Sequence, residues 1–347
     1  MACISIDGLG FRYPDAPADT LTDLTLRVED GEAHGLLGAS GAGKSTMLAL
    51  LSGLLEPTRG EISFDGKDVT RTPARARNVA QVFQFPVLYD GMSVLRNLTF
   101  PLTQRGWKKS DATARAREVA RSLDIESLLA EGVQKLSLFQ RQLVSVGRAI
   151  VRPDVALVLL DEPLTAVQPA TKTRLRQVLK AVQRDMNLTM IYVTHDQTEA
   201  LTFASAVSVM ADGRLLQTDT AEMLYNEPTH ETVAHFIGDP GMNIVDARVQ
   251  GGRLHLGDWD AGALSAPDGP VRLAFRAEWI DLGQPGGLPM RVLHRRDRGT
   301  RNGEPVGIAE LSTEGIRVRA RYHGTLEQNV IVGLQRYVAF REGKRVG

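Results

Sequence analysis

The sequence predicts an α/β fold with a largely parallel sheet, followed by a small all-β domain. Two textures carry that reading. Down to about residue 238, short apolar runs rich in Val, Ile and Leu and bounded by Gly or Pro alternate with longer stretches of helical spacing, the pattern of strands joined by crossover helices. From about Asn243 the chain turns to alternating segments such as Val271–Phe275 and Ile316–Ala320, separated by Gly-rich turns. A third observation is local: Gly38-Ala-Ser-Gly-Ala-Gly-Lys-Ser-Thr46 matches G-x-x-x-x-G-K-[ST] directly after the apolar run Ala33–Leu37.

In chain order, strands are expected at Ala33–Leu37, Val79–Phe83, Ala156–Leu160 and Met190–Thr194, each short, nearly all apolar and so buried on both faces. A helix should start near Lys44. Between Phe85 and Ile150 the spacing is helical, through Asp111–Leu123 and the run from Ser137 to Val151, so a helical insert is expected in the core. With 347 residues the chain has room for two domains, placed here at 1–240 and 241–347.

The composition excludes several classes. Lys plus Arg equal Asp plus Glu at 41 each, which argues against a large basic nucleic-acid footprint, and 43% hydrophobic residues argue against disorder. Cys3 stands alone, so neither an internal disulfide nor a thiolate cluster can form, and a reducing compartment fits best. No apolar run approaches the ~20 residues of a membrane span, and Met1–Gly10 lacks a signal-peptide layout. The β domain carries 16 basic residues, 15 of them Arg, against 12 acidic. Its alternate arginines face either an acidic partner or RNA, or simply solvent, the plainer reading.

The phosphate loop is the strongest chemical signal. Gly38, Gly41 and Gly43 let backbone amides curl around phosphate oxygens; Ser40, Ala42 and Thr46 complete the loop. Lys44 would reach the β- and γ-phosphates and Ser45 would ligate Mg²⁺. Leu157-Val-Leu-Leu-Asp161-Glu162-Pro163 supplies a metal-holding carboxylate, Asp161, and a proton acceptor for an attacking water, Glu162. A pair of acids capping a helix is the structural alternative. Gln84 and His195 each leave the carboxyl end of an apolar strand, where open α/β sheets bind ligands.

The order phosphate loop, Gln84, Leu136-Ser-Leu-Phe-Gln-Arg-Gln142, Asp161-Glu162, His195 resembles the ATP-binding subunits of ABC transporters over about the first 240 residues. The resemblance implies a phosphate-loop NTPase core of the ABC ATPase type, binding ATP and Mg²⁺, with Gln84 bridging the metal and water region to the permease contact and His195 on the γ-phosphate. An aromatic residue near the start would stack on adenine; Tyr13 fits best, with Phe11 second. Pro101, Thr194-His-Asp-Gln-Thr-Glu-Ala200 and Phe236-Ile-Gly-Asp-Pro-Gly-Met-Asn243 narrow the likeness to sugar and polyol importers, whose ATPases carry a C-terminal OB-like regulatory domain. Segments Ala80–Val94 and Met190–Ala204 resemble the glycerol importer's ATPase subunits, which work as an unlike pair.

Two elements depart from the family. Where it has L-S-G-G-Q, this chain reads Leu136-Ser137-Leu138-Phe139-Gln140, and where an aspartate is expected it has Gln168. Both belong to the side of the composite site offered to an opposing subunit; the other side is intact. The implied assembly is a heterodimer with a second ABC ATPase, docked on the cytoplasmic face of two transmembrane permease subunits, served by an external substrate-binding protein and without nucleic acid. A low-turnover ATP-dependent sensor subunit is the alternative, as is a plain helix start with Ser137 as its N-cap.

Overall fold

The computed structural model describes all 347 residues, Met1 to Gly347, and divides into two compact units, Met1–Ala221 and Glu222–Gly347. In the first unit, strands β3 (Ala33–Leu37), β6 (Val79–Val82), β7 (Leu157–Asp161), β8 (Met190–Thr194), β9 (Ala206–Ala211) and β10 (Arg214–Asp219) form one sheet in the order β10-β9-β3-β8-β7-β6. All neighbours are parallel except β9 and β10. Its central strands are buried on both faces as the continuous apolar runs require: Leu157, Leu159, Ile191 and Val193 pack to one side, Val158, Leu160, Met190 and Tyr192 to the other. The edge strand β6 departs from that expectation, since Val79 and Gln81, alternating with buried Ala80 and Val82, are only half-buried.

The first of those faces is covered by an antiparallel sheet that the apolar runs do not announce. It comprises β1 (Ile4–Phe11), β2 (Leu21–Val28), β4 (Arg59–Phe64) and β5 (Lys67–Asp68), in the order β2-β1-β4-β5. Register shifts around Gly8 and Gly10 break the alternation that would have revealed β1. The second face carries the expected helices: α2 (Val94–Thr103), α3 (Lys109–Ser122) and α4 (Leu138–Ile150), then α5 (Pro169–Asp185) and α6 (Gln197–Phe203). Between the sheets lies α1 (Lys44–Ser52), ended by Gly53 in the left-handed conformation. No basic residue lies in its last turn, and buried Arg77 takes that place, donating to the carbonyls of Leu50, Leu51, Thr70 and Thr72.

The second unit starts with two short helices, α7 (Ala221–Asn226) and α8 (Glu231–Phe236), and two antiparallel sheets. One sheet joins β11 (Asn243–Gln250), β12 (Arg253–Leu256), β13 (Trp259–Ala263), β14 (Gly269–Phe275), β20 (Val338–Arg341) and β21 (Lys344–Val346). The other joins β15 (Ile280–Leu282), β16 (Leu288–Arg301), β17 (Glu304–Thr313), β18 (Ile316–His323) and β19 (Asn329–Leu334). Both bury alternate residues in a shared core around Leu254, Leu273, Phe275, Leu311 and Val332. This is the β-rich, OB-like region the sequence anticipates. The unit boundary falls about twenty residues before the one drawn from sequence, because 222–240 bonds to the β sheets: the guanidinium of buried Arg276 stacks 3.9 Å from the Tyr225 ring and donates to the Tyr225 and Ile237 carbonyls.

Arg77→Met would leave four carbonyls around α1 without their donor while keeping the side-chain stem. A loss of about 3 kcal/mol is expected for the first unit, read from its denaturant midpoint with the second unit's transition unchanged.

Candidate functional site

Three strand ends meet at one edge of the parallel sheet. Leu37 of β3 pairs with Thr194 of β8, and Val193 of β8 pairs with Asp161 of β7, so the phosphate loop, His195 and the Asp161-Glu162 pair leave the sheet side by side. The loop's glycines have different reasons. A Cβ at Gly38 would stand 2.3 Å from the Met210 carbonyl oxygen, and one at Gly43 2.5 Å from Leu21 Cδ2, so both are close-packing positions. Gly41 has φ +84 and open space where a Cβ would be, so the loop is open to a ligand there.

Within the loop Lys44 is buried and its ammonium donates to the carbonyls of Gly38 (2.7 Å) and Ala39 (2.9 Å). Burial pulls its pKa down, and the charges of Glu162 and Asp161 oppose that. Ser40 and Ser45 are exposed, whereas Ala42 and Thr46 are buried. The hydroxyl of Tyr13 lies 3.3 Å from Thr46 Oγ1 and its ring is exposed beside the loop. Phe11, the second aromatic candidate, is in the core, its ring perpendicular to that of Tyr13 with 4.8 Å between centres.

Glu162 follows β7 in the left-handed region, at φ 44. One carboxylate oxygen accepts from His195 Nδ1 at 3.1 Å and the other from the Thr165 hydroxyl at 3.0 Å. The imidazole, half exposed, keeps Nε2 for another partner. Asp161 is half-buried, and burial together with Glu162 pushes its carboxyl pKa up, with Lys44 pulling the other way. Gln84 is half-buried after β6; the preceding Phe83 carbonyl accepts from Gln142 of α4 at 3.2 Å, tying this strand end to the helical insert.

ATP with Mg²⁺ fits these residues. The open backbone cradle at Gly41 and the inward Lys44 suit phosphates, and one hydroxyl plus one carboxylate (Ser45, Asp161) is the donor set of a Mg²⁺ ion that keeps waters and phosphate oxygens. No group of three or more His, Cys, Asp or Glu offers an all-protein metal cage.

Two contributors were not singled out in sequence. Thr165 orients Glu162. Glu199, 2% exposed, accepts from the Tyr192 hydroxyl (3.1 Å), the Thr194 hydroxyl (2.9 Å) and Lys172 (3.2 Å), bracing the residues before His195, while Asp196 caps α6. An acid three residues ahead of Glu199 at a helix start is the capping signal that could have marked it.

The altered signature is elsewhere on the helical insert. Ser137 caps α4 in a reciprocal box: its hydroxyl accepts from Gln140 N–H, and Gln140 Oε1 accepts from Ser137 N–H and hydroxyl. Leu138 is exposed. Phe139 is half-buried in a groove with Ile125, Leu128, Leu143 and Val178, under the Arg174 guanidinium 5.5 Å from its ring centre. Gln168 is the exposed N-cap position of α5, with no side-chain cap bond and Pro169 following.

Comparison with known proteins gives one family. The model of the ABC transporter family matches residues 21–165. The chain is 35% identical to an sn-glycerol-3-phosphate import ATP-binding protein of Rhizobium johnstonii, covering 96% of this chain and 98% of that one. It is 34% identical to the diacetylchitobiose uptake system ATP-binding protein of Streptomyces coelicolor, over 94% and 88%, and 38% identical to the trehalose import ATP-binding protein of Mycobacterium tuberculosis, over 82% and 70%. Among solved structures, cbiO1 from Clostridium perfringens, part of the ABC transporter complex cbiONQ, matches with a TM-score of 0.59 at 25% identity, covering 62% of this chain and 88% of that chain.

A carboxyl whose folded pKa is raised weakens the fold once ionised: its penalty develops as pH rises from the unfolded to the folded value and persists above it. At pH 7, Asp161→Asn should therefore raise the thermal midpoint of the nucleotide-free protein. It should also remove the further rise that Mg²⁺ with ATP gives the parent chain.

Proposed function

The chain belongs to the ATP-binding subunits of ABC importers of the sugar and polyol type, ATPases whose hydrolysis is coupled to import, and from that premise we propose that it powers uptake of a small polyol or sugar, with glycerol the specific candidate, as one half of an unlike ATPase pair. The observation that carries the reading is the contrast between the two sides of the site. Glu162 is held by His195 and Thr165 next to Lys44 and Asp161, while Leu138 and Gln168 stand exposed at two positions that depart from the family.

In this reading Glu162 accepts the proton of the attacking water, oriented by the two bonds its carboxylate already makes. Lys44 exchanges its carbonyl partners for the β- and γ-phosphates, and His195 Nε2 faces the γ-phosphate. Backbone amides of Gly38–Thr46 hold the phosphates and Tyr13 stacks on adenine. Ser45, Asp161 and Gln84 would hold Mg²⁺, which when bound would supply charge neutralisation at the phosphates. Loss of one phosphate-binding donor at this chain's own altered signature would cost the second site, which that signature faces, about 3 kcal/mol, roughly a hundredfold in rate.

No helix is long and apolar enough to cross a membrane, and docking on the cytoplasmic face of two permease subunits is proposed instead. What supports it is the exposed apolar row Phe83, Phe85, Val87 and Tyr89 flanking Gln84, next to a groove lined by Pro101, Arg148 and Arg152. A second reading, a low-turnover sensor subunit, is favoured by one feature: the Ser137 hydroxyl and the Phe139 ring are both engaged within the chain.

Reconstituted with its permease subunits and binding protein, the chain alone should hydrolyse ATP near background, and adding the second ATPase should bring substrate-stimulated turnover. Glu162→Gln should then lower that turnover by about a hundredfold or more. Leu138→Gly, at an exposed helix start, should raise the activity of the chain alone. Full activity from the unaltered chain alone would sink the unlike pair; tight ATP binding without turnover in any assembly would favour the sensor.

A further inference from the structure

The alternate arginines of the β domain gather over the outer side of β16, β17 and β18. Cross-strand register puts His294, Glu310 and Arg319 in one row and Arg296, Ile308 and Arg321 in the next, while Ala309, Leu311, Val318 and Ala320 of the same strands face the core. Over these rows lies a cleft of about 410 Å³ lined by His294, Arg295, Arg296, Arg298 and Arg319, with Asp239 and Glu310 as its only acids. A second cleft of about 690 Å³, reaching Arg272 and Arg317, shares Glu310 and Arg319 with it.

The cations differ in what already neutralises them. Arg272 is paired with Asp246 and Glu231, Arg298 reaches Asp239 at 3.4 Å, and Arg317 lies 3.9 Å from Glu310. Arg295 donates to the Leu326 carbonyl. Arg296 and Arg319 have no carboxylate partner although both line the cleft. The backbone of Arg319 is also held in place: the side chain of buried Asn243 accepts from its N–H at 2.7 Å and donates to its carbonyl at 2.8 Å. Two unneutralised guanidiniums in a concavity match a phosphate dianion, which takes bidentate bonds from arginine. The volume is that of a small-molecule site and far exceeds one phosphate, and the two acids can accept bonds from hydroxyl groups on the remainder of a ligand.

We propose that this cleft binds the phosphomonoester of a small sugar or polyol, with Arg296 and Arg319 on the phosphate and Glu310 and Asp239 on the hydroxyls. The site lies wholly within the second unit and is independent of which compound is transported. An extended acidic peptide is the competing occupant of a basic face, but a peptide needs a long strip, and here the neighbouring arginines are already paired.

Isothermal titration of the full chain, with the nucleotide site saturated by Mg²⁺ and ADP, would test this using glycerol 3-phosphate, glucose 6-phosphate, glycerol, inorganic phosphate and a glutamate-rich peptide. At least one phosphomonoester should bind one per chain, tenfold or more tighter than inorganic phosphate, with glycerol silent. Arg296→Gln and Arg319→Gln should each weaken it at least tenfold with an unchanged thermal midpoint, and Glu310→Gln should narrow the gap between ester and inorganic phosphate. Lys44→Ala, titrated without nucleotide, should leave it intact. Silence with both esters, equal affinity for inorganic phosphate, indifference to Arg296 and Arg319, or binding of the peptide alone would overturn the proposal.

Discussion

The pairing register of three buried strands is the constraint on which the first unit depends. Because β3, β8 and β7 run parallel and pair Leu37 with Thr194 and Val193 with Asp161, the residues that follow each strand emerge together. No side chain of the site has to reach far. Burial on both faces holds that register, since a slip along β8 would trade the packing of Ile191 and Val193 for that of Met190 and Tyr192. Each such side chain stabilises by about 1.5–3 kcal/mol.

The two halves of the proposed composite site obey different physics. The phosphate loop, Glu162 and His195 are placed by tertiary pairing and by bonds between distant segments. The signature is placed by a local cap, Ser137 with Gln140, which forms whatever residues occupy positions 138 and 139. That separation explains how Phe139 can be accommodated without disturbing the strand ends around the phosphate loop: the ring turns into the groove beneath Arg174, whose own partner is Asp124 at 3.0 Å. Only Leu138 is left at the surface where the family has a glycine.

Legibility in the sequence followed burial. Ala33–Leu37 and Met190–Thr194 were readable to the residue because strands buried on both faces give unbroken apolar runs. The antiparallel sheet was not, since β1 is interrupted by Gly8 and Gly10, and β2 carries Asp23 at φ 54 within a half-buried pattern. At the site, the phosphate loop and Asp161-Glu162 are contiguous motifs and stood out. Thr165 and Glu199 did not, because what they do depends on bonds to residues that only folding brings near. The alternate arginines were visible as a pattern, but which of them lack a partner is decided by register and by Glu310.

The backbone of Glu162 has one further consequence. A side chain other than Gly or Asn in the left-handed region costs of order 1 kcal/mol, and this one stands beside the half-buried Asp161 carboxyl, whose pKa burial already raises. Glycine or asparagine at 162 would relax the turn and remove a like charge. The proposed base therefore stands at a position that folding alone would fill with either of those residues.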